Sequence, residues 1–184
     1  ANIPFITEGD PGVHRMSSRY APYNLFASLP EIGKGLKAGE EPPPYLDFGV
    51  AEDLPKGQKA SSLVADFGGH STAWSFQGGK YVNTNSFAAE GDAFPATSVL
   101  VLRVRVGDAG YTDPAGYPVP ETKFEGEGAA ALFHNGRIIR GTWTKDGHQG
   151  AIKRTTKAGE LQVPAGHVWI ELVPAVNGDL TWAK

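Results

Sequence analysis

Cysteine is absent from this chain of 184 residues, and methionine occurs once. Disulfides, thiol nucleophiles, iron–sulfur clusters and thiolate zinc sites are therefore excluded, leaving histidine and carboxylate as the available metal ligands. An excess of charge of one sign is also missing. The 17 Lys and Arg stand against 20 Asp and Glu, a formal net charge of −3. That balance is too small and of the wrong sign for a polyanion binder, so no nucleic-acid partner is expected. Long hydrophobic runs are lacking too: Ala129–Phe133 is among the longest wholly apolar stretches, far short of the roughly 20 residues a membrane helix needs. The opening residues, Ala1-Asn-Ile-Pro-Phe, carry neither the basic nor the apolar region of a secretory leader.

What the chain does have is glycine, 24 residues, and proline, 14, with 40% apolar and 10% aromatic side chains. This composition supports a turn-rich globular fold with a sizeable core. The stretch Thr7-Glu-Gly-Asp-Pro-Gly-Val-His-Arg reads as a turn-rich arm without periodicity. Leu25, Leu29, Ile32 and Leu36 then recur at helical spacing after Asn24, a candidate N-cap. This predicts one helix that weakens towards Leu36, because interior glycines such as Gly33 and Gly35 each cost about 1 kcal/mol. The stiff Glu40-Glu-Pro-Pro-Pro-Tyr45 segment marks a boundary near residue 45.

Beyond that boundary the signals are for strands: 62–67, 72–76, 80–84, 98–106, 128–134, 137–145, 151–155 and 168–173 are β-branched or aromatic and bounded by turn residues. Their order points to antiparallel pairing. Asn135-Gly136 specifies a two-residue type I′ hairpin. Its register follows by arithmetic and sets Phe133 opposite Ile138, Leu132 opposite Ile139 and Gly128 opposite Trp143. Leu132, Ile139 and Trp143 share a predicted core face, with Gly128 making room for the indole. Phe133, Ile138, Arg140 and Thr142 take the other face, whose apolar tip requires a cover, for which the helix is the candidate. Val99–Val106 reads as a central strand. The expected fold is α+β and β-rich: a mainly antiparallel sheet with one N-terminal helix, divided into residues 1–44 and 45–184.

Few motifs survive their context. Gly126-Glu-Gly-Ala-Ala-Ala131 fits a dinucleotide pattern, but Asn135-Gly136 interrupts before any helix. Gly33-Lys-Gly35 lacks the Lys-Ser/Thr ending of a phosphate loop. The five histidines stand singly, without metal-ligand spacing, and no cofactor or metal is expected. His134 and His148, beside turns, are expected to be wet. His70, in Phe67-Gly-Gly-His-Ser-Thr, has glycines that allow close approach to a ligand and a neighbouring Ser71 or Thr72 to relay a proton. With Glu90 and Asp92 it forms the catalytic candidate set, although a hairpin loop and a solvated carboxylate pair are the commoner uses of such residues. Trp74, Tyr81, Trp143 and Trp169 could stack on a sugar, against burial as the default use of a large ring. For binding, the candidates are Arg140, Trp143 and Lys145, with Trp143 and Lys145 on one face of a strand.

The segments Gly126-Glu-Gly-Ala-Ala-Ala-Leu-Phe-His-Asn-Gly-Arg-Ile-Ile-Arg-Gly-Thr-Trp-Thr-Lys145 and Val163-Pro-Ala-Gly-His-Val-Trp-Ile-Glu-Leu-Val-Pro174 resemble the C-terminal domain of the YerB-like lipoproteins, a bacterial family of unknown function. Upstream, Tyr20-Ala-Pro-Tyr-Asn-Leu-Phe26 resembles the close of the family's first domain, which usually has His where this chain has Tyr23. Val82–Asp92 departs from the family, which carries an Arg and a Gly-x-x-His-like element there. The resemblance implies that residues 1–44 end a preceding domain and that the location is the extracytoplasmic cell envelope, with a lipid anchor outside this chain. It also implies a partner such as a cell-wall component, another envelope protein or the preceding domain itself. Its function is then expected to be that of a non-catalytic binding or structural module, the alternative being a hydrolase of cell-wall glycan or peptide.

Overall fold

A computed structural model describes residues 6–35, 39, 44–86, 88, 93–147 and 149–184. The chain divides into two compact units, Ala1–Pro43 and Pro44–Lys184. In the first, β1 (Val13–Arg15) pairs antiparallel with β2 (Leu25–Ala27), and α1 (Leu29–Gly35) follows directly. The helix is shorter than its apolar spacing predicts. Leu25 and Phe26 pair with Arg15 and His14 instead. Asn24 is also taken: its backbone carbonyl accepts from Met16 N–H, and its side chain accepts from Arg15 at 2.6 Å. Ser28 takes the expected role of Asn24, its carbonyl accepting from the Glu31 and Ile32 amides, and Pro30 falls in the first turn, where a missing N–H costs nothing. The arm thus holds a strand, β1, that its turn-rich composition concealed.

The second unit is almost wholly strand. It runs β3 (Phe48–Gly49), a 3₁₀ turn at Ala51–Asp53, β4 (Gln58–Lys59), β5 (Ser62–Asp66), β6 (Ser71–Gln77) and β7 (Lys80–Asn83). Then come β8 (Ser98–Thr112), β9 (Pro118–Lys123), β10 (Gly126–His134), β11 (Arg137–Lys145) and β12 (Lys153–Thr156). The last are β13 (Gly159–Glu160), β14 (Val163–Pro164), β15 (Val168–Pro174) and β16 (Asp179–Ala183). A large sheet has the order β13-β12-β11-β10-β8-β15, with β4 joined to β11 and β9 to β8; β16-β5-β6-β7 form a smaller one, and β14 pairs with β3. The fold is therefore β-rich α+β and mainly antiparallel.

The β10–β11 hairpin has the predicted register at every position named above, including Phe133 with Ile138 and Gly128 with Trp143. Asn135 and Gly136 both adopt positive φ, as the tight turn demands. Gly128 is indispensable: a Cβ there would stand 2.2 Å from the Arg103 carbonyl oxygen and 2.6 Å from Trp143 Nε1. That close approach lets the indole, only 1% exposed, donate to the same carbonyl at 3.0 Å.

Alternation then divides the large sheet between two cores. Leu100, Leu102, Leu132, Ile139 and Trp143 pack with Leu46, Ile152, Leu161 and Val163 on one face. Val99, Val101, Phe133 and Ile138 meet Leu63, Trp74 and Tyr81 of the smaller sheet on the other. The cover over Phe133 and Ile138, for which the sequence offered the helix, is a second sheet, whose broad apolar face matches the width of the hairpin and its neighbour. β8 is central as expected, between β10 and β15, but β15 runs parallel to it, from Val168 beside Ser98 to Pro174 beside Val104. Pairing on both edges and packing on both faces explain the unbroken apolar run at its start.

Gly128→Ala is expected to cost about 2 kcal/mol, as overpacking commonly does. Gly69→Ala, whose added Cβ meets nothing within 4 Å, should leave the urea midpoint unchanged.

Candidate binding groove

Of the three catalytic candidates, only His70 falls among the described residues. His70 closes the β5–β6 hairpin, exposed, with its ring stacked on Phe67 at 4.6 Å. Among the described residues no carboxylate hydrogen-bonds to that ring, and no group of three His, Asp or Glu is placed to hold a metal. Glu90, Asp92 and His148 lie outside the described residues. Trp74, Tyr81 and Trp143 are buried, whereas Trp169 is 38% exposed and lies 5.3 Å from Trp74. Burial pushes the Tyr81 hydroxyl up to about 12. Lys145 is buried, donates to the Gly147 carbonyl at 2.6 Å and lies over the Phe124 ring.

His134 is half-buried rather than wet, with Nδ1 3.0 Å from Ser98 Oγ. Burial holds its imidazole below the ordinary value, while a backbone contact with Thr97 opposes that shift.

Two charged residues that sequence reasoning passed over form internal ties. Glu171, 4% exposed, accepts from Thr72 Oγ1 at 2.6 Å and from Trp74 Nε1 at 2.9 Å, joining the two sheets. Arg154, 1% exposed, donates to the carbonyls of Leu161, Ile152 and Asp47. Alternation along Val168–Val173 and Lys153–Thr156 was the available signal: each charged residue lies on the inward face of its strand.

Arg140 lies in a different setting, a groove of about 750 Å³ on the outer edge of β11. β4 pairs with β11 at Arg137 and Ile138, and β12 pairs with it at Thr142, Trp143 and Thr144. Ile139, Arg140 and Gly141 therefore have no ladder partner on this edge. A two-residue hairpin makes its flanking residues, His134 and Arg137, the hydrogen-bonded pair, so alternate residues of β11 aim their amides away from β10. Ala60 N–H bonding to the Gly136 carbonyl fits this phase. By the same alternation the Arg140 N–H and C=O face the open edge.

The groove walls are held close at both ends by glycine. A Cβ on Gly57 would meet the Ile138 carbonyl oxygen at 2.6 Å, and one on Gly141 would meet that of Thr155 at 2.1 Å. Among the described residues, Lys56, Arg140 and Lys157 are the only ionisable ones lining the groove; all three are exposed, and none forms an ion pair with another described residue. The Arg140 guanidinium stands 5.7 Å from the Trp182 ring centre, a cation–π contact that steadies it. Trp143 and Lys145 do not line the groove. The site thus offers three cations and one outward backbone position.

A groove-bearing, two-sheet β-rich domain is the class that this geometry defines. Residues 62–170 match the family model described as the C-terminal domain of a protein of unknown function, DUF3048. The match covers more than half of the chain, which therefore belongs to that family. The fold is also similar to the crystal structure of YerB protein from Bacillus subtilis, with a TM-score of 0.68 and 18% identity. That similarity covers 92% of this chain and 59% of YerB, so the chain spans little more than half of that protein. No curated protein matches the chain.

Because folding favours the neutral His134 ring, the unfolded chain takes up the proton first as pH falls through about 6.5. Stability is full above that pH and declines below it. Wild-type unfolding free energy is therefore expected to fall more steeply between about pH 7 and 5 than that of His134→Gln, by at most about 1.4 kcal/mol per pH unit. Denaturant titrations across this range check it.

Proposed function

We propose that this chain is a non-catalytic binding module of a bacterial cell-envelope lipoprotein, with the β11-edge groove as its site. The observation that carries the reading is the groove, where Lys56, Arg140 and Lys157 face solvent without a lining carboxylate in a chain of net charge −3. Three cations lining one groove with no carboxylate among its described lining residues favour an anionic ligand. The solvent-facing setting of His70 on a hairpin, stacked on Phe67, supports binding over hydrolysis, since acid–base work needs a partner within hydrogen-bond reach. The resemblance to the YerB-like lipoproteins supports the envelope location. Anionic envelope components, whether wall polymers or protein segments, are the ligand class.

A thermal-shift titration with poly(glycerol phosphate) and with an acidic peptide tests this reading. Each ligand that binds is expected to raise Tm with the logarithm of its concentration above Kd, reaching about 2.7 kcal/mol of stabilisation at 100 times Kd, and Lys56→Glu/Lys157→Glu should abolish the rise. A rise that survives the double variant would place binding elsewhere. Conversion of either probe to products would overturn the non-catalytic reading.

A further inference from the structure

We propose that the groove receives an extended acidic polypeptide segment by strand addition, its main chain pairing with Arg140 and its carboxylates meeting Lys56, Arg140 and Lys157. The inference rests on the binding reading above and names the ligand. Its first support is the interrupted ladder. β4 leaves the edge of β11 after the Ile138–Gln58 pair, and β12 joins it only at Thr142–Thr155. The open stretch of three residues is about 10 Å of strand, from a rise of about 3.3 Å per residue. Within it, Arg140 presents a donor and an acceptor side by side, directed outwards. A phosphate polymer can accept from the N–H but has no N–H of its own for the adjacent C=O. A peptide backbone satisfies both.

The second support is charge. Lys56 stands on the segment that leads into β4, Lys157 at the turn from β12 to β13, and Arg140 on the strand between them. Cations therefore stand on both neighbouring segments as well as on the open strand itself. Among the described residues none of the three donates to a carboxylate. A segment with acidic side chains on alternate residues could address them while its backbone follows β11, because side chains of one strand repeat on one face every second residue. Thr142 and Thr155, whose hydroxyls lie 3.0 Å apart on the groove wall, add polar surface suited to a peptide.

Fluorescence anisotropy with a labelled eight-residue peptide of alternating Glu and Thr tests the proposal on the full 184-residue chain. Three comparison probes are used: the same peptide N-methylated at its central residues, its Lys/Thr counterpart, and poly(glycerol phosphate). The Glu/Thr peptide is expected to bind, with affinity weakened at least ~tenfold by Lys56→Glu/Lys157→Glu and by N-methylation, and the Lys/Thr peptide should not bind. Hydrogen exchange at the Arg140 amide should slow on peptide addition, a change that attraction to exposed side chains alone does not produce. Circular dichroism melts that match wild type establish that the double variant is folded. Equal binding of the N-methylated peptide, or an Arg140 amide unaffected by peptide, would overturn strand addition. Binding of poly(glycerol phosphate) but not of the Glu/Thr peptide would overturn the peptide ligand while leaving the groove as an anion site. Silence from every probe would remove both this inference and the binding reading.

Discussion

The structure depends on the register of one hairpin. Asn135-Gly136 closes β10 onto β11 with two residues, and this sets which residues of both strands face each core. A slip of β11 by one residue would turn Ile139 and Trp143 towards the smaller sheet and Ile138 away from it, setting each in a core of different shape. The Gly128–Trp143–Arg103 contact locks the far end of the same hairpin: the indole fits only where a residue without Cβ stands opposite. Turn chemistry at one end and steric fit at the other thus agree on a single alignment, and β8 takes its place against β10 accordingly.

That agreement explains which parts of the fold were legible in the sequence. The hairpin, its register and the central place of β8 follow from signals local to a few residues: a turn dipeptide, an alternation and an apolar run. The pairing of β15 with β8 left no local trace, because parallel and antiparallel neighbours bury the same apolar face. The helix is shorter than its apolar spacing predicts for a related reason. Leu25 and Leu29 have helical spacing, but Leu25 is recruited into a ladder with Arg15, and tertiary pairing outweighs a short periodic pattern. Burial of His134 likewise comes from the strand across from it, which supplies Ser98.

The groove was less legible still. Arg140 drew notice as a polar residue on a hairpin face, but Lys56 and Lys157 are unremarkable loop cations until β4 and β12 are both laid against β11. The site is made by what two neighbouring strands leave unpaired, and an unpaired position has no composition. Glycine contributes at the ends of the gap, where Gly57 and Gly141 allow carbonyls to approach more closely than any other residue would permit. The same device that seats Trp143 inside the protein therefore shapes its surface. Elsewhere the interior is closed by charged groups with complete sets of partners, Arg154 on three carbonyls and Glu171 between a threonine and a tryptophan.

The parallel pairing of β8 with β15 also bears on how the protein is made. β5 takes its outer neighbour from β16, at the end of the chain, and β8 takes its second neighbour from β15 just before it. During synthesis the hairpin can form early, but β5 and β8 each lack one neighbour until residues 168–183 have left the ribosome. Pairing of β5 with β16 and of β8 with β15 joins strands far apart in the chain, so assembly is dominated by contacts of long sequence separation and should be slow for a domain of this size.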